Sequence, residues 1–271
     1  GLTNNQTGGM IYRDGKVYAV DSRRGLLVID AGTDTLVMTV NNEAEGYTYC
    51  AIAEAKDGSV WLTVGKPDGT TSDHIVRFDP ATGSTENVAL PEGVYPPTSS
   101  WRAWNPDCFT ASDTENAIFW NGATGAYSSG QHIYKYDIDK GTTTLLLDFT
   151  SEEAPLPYVY GAACRIKPGT SDLYLSITKG SAWGDESELR IYSATDGTLK
   201  SAYPMLKHYW FPEMPVFALQ GTPSAITTTE AVAGTHEVAR YSIDGKRISG
   251  AQRGLNIVKY SDGTVKKIMV K

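Results

Sequence analysis

From Gly8 onward the chain alternates short runs of β-branched and aromatic residues with polar turn sequences such as DG, TG, PG and KG. No long window shows a 3.6-residue apolar period, so the pattern predicts strands and tight turns. Four segments of this kind line up, at 8–40, 49–90, 107–149 and 163–205. Corresponding positions recur 58 and then 55–56 residues apart, as in Val60, Ile118 and Leu173, or Phe78, Tyr136 and Tyr192. Each segment holds four apolar runs, which makes a four-stranded antiparallel meander. Meanders repeated at this spacing are the mark of β-propeller blades. The expected fold is therefore all-β: a β-propeller of about four to five blade-like repeats, followed by a short C-terminal β domain.

The connections are unequal. Strand 1–2 turns (RDGK, KDGS, PGTSD) and strand 3–4 turns (AGTD, PATGS, DKGT, ATDGT) are tight. Strand 2–3 connections are long in three repeats (KPDGTTSD, ATGAYSSGQ, KGSAWGDES), and the links PEGVYPPTSSWRAWNP and TSEEAPLPYVYG are longer still. In an up-and-down meander the two long classes emerge on one face and the tight turns on the other. Long connections on a rigid scaffold are where binding residues concentrate. That face gathers Tyr95, Trp101, Trp104, Tyr127, Tyr158, Tyr160 and Trp183, and the segment HYWFPEMPVFA (208–218) supplies one further strand near the same rim. Aromatics beside Asn, Ser and Thr suit flat amphipathic ligands, a sugar or a peptide. The candidate ligand-binding set is Trp101, Trp104, Tyr127, Tyr160, Trp183, His208 and Trp210. Trp101 and Trp104 equally suit plugs between blades, and Trp61 and Trp120, in mid-strand, are expected in the core.

Composition sharpens this picture in one respect. The formal charge of −7 divides into −11 over the first 221 residues and +4 from Thr222 to Lys271. That break separates a propeller (1–220), a Thr/Ala-rich linker (221–235) and a basic β domain (236–271). The net negative charge disfavours nucleic acid as a partner. No apolar run approaches the roughly 18–20 residues of a membrane-spanning helix. The segment begins without a basic-then-apolar leader, so any signal peptide is expected to have been removed or to lie outside it. Four blades are few for a ring, so a truncated or incomplete propeller is the expectation, with a small propeller or open arc as the alternative. An incomplete ring would favour self-association through its uncovered β surface.

Catalytic motifs are missing from the pattern: there is no GxSxG, HExxH, Walker A or GxGxxG string. Cys50, Cys108 and Cys164 recur in the first strand of successive repeats and suit small buried residues. Three cysteines without a CxxC pair form neither a disulfide framework nor a zinc site. His74 and His132 open equivalent third strands, and the fourth repeat has Glu188 there. The carboxylates Asp68, Asp73, Glu152, Glu153, Asp185 and Glu186 fall on the long-connection face, without the alternating spacing of a calcium loop. No metal or other cofactor is expected, and a non-enzymatic binding role leads over an extracellular lyase, hydrolase or cyclotransferase, or a structural surface-layer role.

The strings DGKVYAVD and HIVRFDPATG resemble YVTN-type, quinoprotein amine dehydrogenase-like β-propellers, whose rings usually have seven blades. PPTSSWRAWNPDCFTASDTENAIFW, HIYKYDI and FPEMPVF resemble more particularly Bacteroidetes cell-surface propeller proteins of unassigned function, over Gly8 to Leu219. YSIDGKR followed by GLNIVKYSDGTVKKIMVK resembles the type A sorting domain of type IX secretion cargo, with three strands near Val238–Ile243, Leu255–Tyr260 and Val265–Val270. The resemblance implies recognition by export machinery and an extracellular or outer-membrane surface location, with a glycan, peptide or protein as partner.

Overall fold

The computed structural model describes residues 7–21, 23–43, 46–65, 71–96, 109–122, 132–150, 164–178, 186–205 and 236–270. The chain divides into two compact units, Gly1–Ala218 and Leu219–Lys271. No helix occurs among the described residues, and none is long and apolar enough to cross a membrane.

The first unit contains four antiparallel meanders. Sheet 1 is β1 (Thr7–Arg13), β2 (Lys16–Asp21), β3 (Gly25–Asp30) and β4 (Thr35–Val40). Sheet 2 is β5 (Thr48–Glu54), β6 (Val60–Gly65), β7 (Thr71–Phe78) and β8 (Thr85–Ala89). Sheet 3 is β9 (Phe109–Ala111), β10 (Ala117–Gly122), β11 (His132–Asp137) and β12 (Thr142–Asp148). Sheet 4 is β13 (Cys164–Ile166), β14 (Asp172–Thr178), β15 (Ser187–Ser193) and β16 (Leu199–Met205). Each sheet keeps sequence order, every strand pairing with its neighbour in the chain.

The sheets pack face to face in series. Tyr18, Val20, Leu26 and Val28 of sheet 1 meet Val60, Leu62, Val64, Val76 and Phe78 of sheet 2. The other face of sheet 2, with Trp61, Ile75 and the alanines 51, 53 and 55, meets Phe109, Ile118, Trp120 and Tyr136. Ala117, Phe119, Ile133 and Leu147 then meet Cys164, Ile166, Leu173, Leu175, Ile177 and Tyr192. A second strand covered on both faces has no polar side, which is why VWLTVG and AIFWNG are buried throughout and show no alternation. Fourth strands are the outer edges and carry exposed Thr, Glu and Lys, which blunts edge-to-edge pairing. The first strands lie side by side, β1 by β5, β5 by β9 and β9 by β13. None of the buried clusters among the described residues joins sheet 4 to sheet 1.

The tight turns follow from Asp and Gly. Asp30 Oδ1 accepts from the backbone N–H of Gly32 at 3.0 Å and of Thr33 at 2.9 Å, and Asp79 Oδ1 from that of Ala81 at 2.8 Å. Such Asx turns deliver the chain to a left-handed residue that reverses it, Asp34 in sheet 1 and Gly83 in sheet 2.

The cysteines are not equivalent, contrary to their spacing. Cys164 pairs with Leu175 as Ile52 pairs with Leu62, whereas Cys50 falls in the irregularity between Tyr49 and Ile52. Both Cys50 and Cys164 are buried; Cys108 lies outside the described residues.

The second unit is one sheet in the order β18-β17-β19-β20, from β17 (Glu237–Ser242), β18 (Arg247–Ile248), β19 (Gly254–Tyr260) and β20 (Val265–Val270). Three of these strands are expected from the sequence; the two-residue β18 is too short to leave an apolar pattern. Its described core is small, with Val258 and Asn256 buried. Asn256 is fully engaged: Oδ1 accepts from the Gln252 N–H and from Arg240, and Nδ2 donates to the carbonyls of Gln252 and Gly254.

Candidate functional site

The unequal connections are present in the folded chain. Strand 2–3 links span 66–70, 123–131 and 179–186 in sheets 2 to 4, and the links between sheets span 41–47, 90–108 and 149–163. Turns on the opposite face are two to six residues long, from 14–15 to 79–84. All seven residues of the candidate binding set, Trp101, Trp104, Tyr127, Tyr160, Trp183, His208 and Trp210, lie outside the described residues, as does the expected strand 208–218. What is described of this face is its rim, formed by the strand ends that these connections join.

The rim is built on charge pairs. His74, the fourth residue of β7 rather than its first, sits between two carboxylates, with Nε2 2.9 Å from Glu43 Oε1 and Nδ1 2.8 Å from Asp73 Oδ1. Burial opposes charge on the ring, but the hydrogen bonds to Asp73 and Glu43 outweigh it and hold the pKa above the ordinary histidine value. Glu43 belongs to the link after sheet 1, so this contact ties two sheets together. His132 occupies the equivalent place in sheet 3, its Nε2 3.3 Å from Asp148 Oδ1. In sheet 4 Glu188 stands there, accepting from Arg190 Nε at 2.9 Å. Trp120, fully buried, donates from Nε1 to the Tyr95 carbonyl at 3.0 Å. At Gly122 an added Cβ would press on the Tyr134 ring, which would have to shift to accept it.

Three further residues share one register and escape sequence reasoning. Thr63, Asn121 and Ser176 lie opposite Ile75, Ile133 and Leu189 in their sheets. All three are buried, and their side-chain polar atoms find no protein hydrogen-bond partner. The signal was present as a polar residue recurring near the end of an otherwise apolar second strand.

The tight-turn face carries a cleft of about 570 Å³ between sheets 1 and 2, lined by Arg13, Lys16, Tyr18, Asp57, Arg77 and Glu86 among others. Arg13 donates to Asp14, to the Gly58 carbonyl and towards Glu54. Its hydrogen bond to Asp14 is the main cause of a raised pKa. Arg77 donates to Asp57 at 3.1 Å and lies 6.0 Å from the centre of the Trp61 ring. A smaller recess of about 340 Å³ opens beside the first strands, near Glu54, Lys56, Asp113 and Ile166. Neighbouring 1–2 turns are laced together on this face: Lys56 Nζ donates to the Thr114 carbonyl at 3.0 Å, and the Gly169 N–H to Asp113 Oδ2 at 2.8 Å.

Among the described residues no group of three His, Cys, Asp or Glu side chains is placed to hold a metal ion.

Serially stacked four-stranded meanders with their first strands side by side define a β-propeller architecture. The chain belongs to the family described as Domain of unknown function (DUF5074), which matches residues 1–218. Among solved structures it is similar to that of U3-55K, with a TM-score of 0.50 and 8% identity, over 78% of this chain and 55% of that one. It also matches the WD40 repeats of RRP9 (TM-score 0.49, 8% identity, 75% of this chain and 52% of that one). A europium-containing methanol dehydrogenase matches at a TM-score of 0.44 with 13% identity, over 72% and 41% of the two chains. The chain thus spans about half the length of the first two solved chains, and the U3-55K likeness shows the fold alone. Among curated proteins none matches the sequence.

Proposed function

We propose that this chain is a non-enzymatic binding propeller that engages a glycan, a peptide or a protein through the face of its long connections. The observation that carries this reading is the inequality of the two faces, with long links on one and short reversals on the other. Tryptophan and tyrosine are concentrated in those links, at Trp101, Trp104, Tyr127, Tyr160 and Trp183, and aromatic surfaces of this kind bind amphipathic ligands. The second unit is read as the export element that carries the propeller to the extracellular or outer-membrane surface. What supports this is the likeness of YSIDGKR and GLNIVKYSDGTVKKIMVK to a type A sorting domain of type IX secretion cargo.

The test is a panel of defined oligosaccharides and peptides applied to the whole chain and to the variant carrying W101A, W104A and W183A. Binding by the parent that falls at least tenfold in the variant supports the reading. Binding kept by that variant and lost on Lys16→Glu would move the site to the cleft on the opposite face.

A further inference from the structure

We propose that ordered internal waters are bound by Thr63 in the seam between sheets 2 and 3, by Asn121 in the seam between sheets 3 and 4, and by Ser176 at the equivalent register of sheet 4. These residues occupy one register, each opposite a branched apolar residue of the third strand: Ile75, Ile133 or Leu189. Their exposures are 0%, 1% and 2%. Thr63 Oγ1, both amide atoms of Asn121 and Ser176 Oγ have no protein partner. The corresponding residue of sheet 1 is Val20, opposite Leu26, and both join an apolar cluster. The polar character is therefore a repeated choice at a position where an aliphatic side chain fits the fold.

Buried polar groups in native proteins are almost always paired, and an amide left without partners carries its whole desolvation cost. Asn256, equally buried, follows that rule and makes four hydrogen bonds to protein groups. Asn121 makes none of them, so its partner must come from outside the chain and pass into a closed seam. Water is the smallest molecule that both donates and accepts, and it serves the N–H and C=O ends of one amide together. The three sites sit one or two residues from the ends of β6, β10 and β14.

The experiment exploits shape. Thr63→Val, Asn121→Leu and Ser176→Ala remove the polar atoms while nearly keeping the side-chain outline. A water-bound residue loses a real interaction, so each substitution should lower Tm, by about 2–4 °C for a domain of this size. An orphaned polar group behaves oppositely, because its apolar isostere is neutral or stabilising; an unchanged or raised Tm in Asn121→Leu overturns the proposal. A second readout is independent of stability. The Asn121 side-chain amide protons of the parent protein should show a nuclear Overhauser contact with long-lived water, and its absence overturns the proposal equally.

Discussion

Arg77 and Lys135 hold the same place in consecutive sheets. Each lies opposite the large aromatic of its second strand, Trp61 for Arg77 and Phe119 for Lys135. Each also donates to a carboxylate of the preceding 1–2 turn, Asp57 or Glu115. The cations lie 6.0 Å and 5.6 Å from the respective ring centres. Trp61 and Phe119 are both buried, so each cation closes the tight-turn end of an otherwise apolar seam.

The two pairs should differ in worth. Arg77 is 41% exposed, whereas Lys135 is 12% exposed and also reaches the Ala194 carbonyl in the next sheet. Glu115 has its second oxygen, Oε1, buried without a partner. Lys135→Met leaves the partly buried Glu115 carboxylate, 31% exposed, without its cation, and should cost about 1–2 kcal/mol in urea unfolding. Arg77→Met breaks a half-exposed pair and should cost about 0.5–1 kcal/mol. Adding Glu115→Leu to Lys135→Met should recover part of the loss, because the stranded charge goes with it.

The His74 clamp predicts a pH dependence of definite sign. Its folded pKa lies above the unfolded value near 6.5, so the folded state holds the proton more tightly. The resulting stabilisation is complete below that unfolded value and is lost as pH rises through the folded pKa. Asp73 is displaced the other way, below the ordinary aspartate value, chiefly by its hydrogen bond to His74. Thermal unfolding from pH 5 to pH 9 should show a decline that sets in as pH rises past about 6.5 and that His74→Gln abolishes. A profile identical in the two proteins would remove the clamp as its cause.

Much of this architecture is legible in the chain, for a physical reason. Seams buried on both faces force continuous apolar second strands such as VWLTVG, and DG or TG reversals bound them. The rim is not legible, because Glu43 meets His74 across 31 residues through a link with no periodicity. The cysteine spacing misleads for a related reason: pairing across the sheet makes Ile52, two residues after Cys50, the counterpart of Cys164. Thr63, Asn121 and Ser176 were visible as recurring polar residues, but their burial and lack of partners belong to the packed seams. The aromatic links carry the functional reading, and aromatic content alone assigns no geometry to them.

Asn256 is the structural centre of the C-terminal sheet. Asn256→Leu fits the same outline but strands the Gln252 N–H, two backbone carbonyls and one hydrogen bond of Arg240. With so little apolar burial around it, the loss should be on the order of 2–4 kcal/mol. Amide hydrogen exchange across 237–270 should then lose protection, and Asn256→Asp, which keeps the acceptor, should fall between parent and Leu.

Gly25 and Gly15 separate the two costs of adding a methyl group. Both have positive φ, +99° and +75°, where an L side chain is strained. At Gly15 a Cβ meets nothing within 4 Å, so Gly15→Ala should cost only the left-handed penalty, about 1–2 kcal/mol. At Gly25 the same atom would lie 2.0 Å from the Val40 carbonyl oxygen and 2.9 Å from the Asn42 N–H nitrogen. Those atoms are backbone of the neighbouring strand and its exit, so relief requires β4 to part from β3. Gly25→Ala should therefore exceed Gly15→Ala by several kcal/mol, on the order of the largest single-residue effects. Equal unfolding midpoints for the two variants would show that β3 and β4 are not held at this separation.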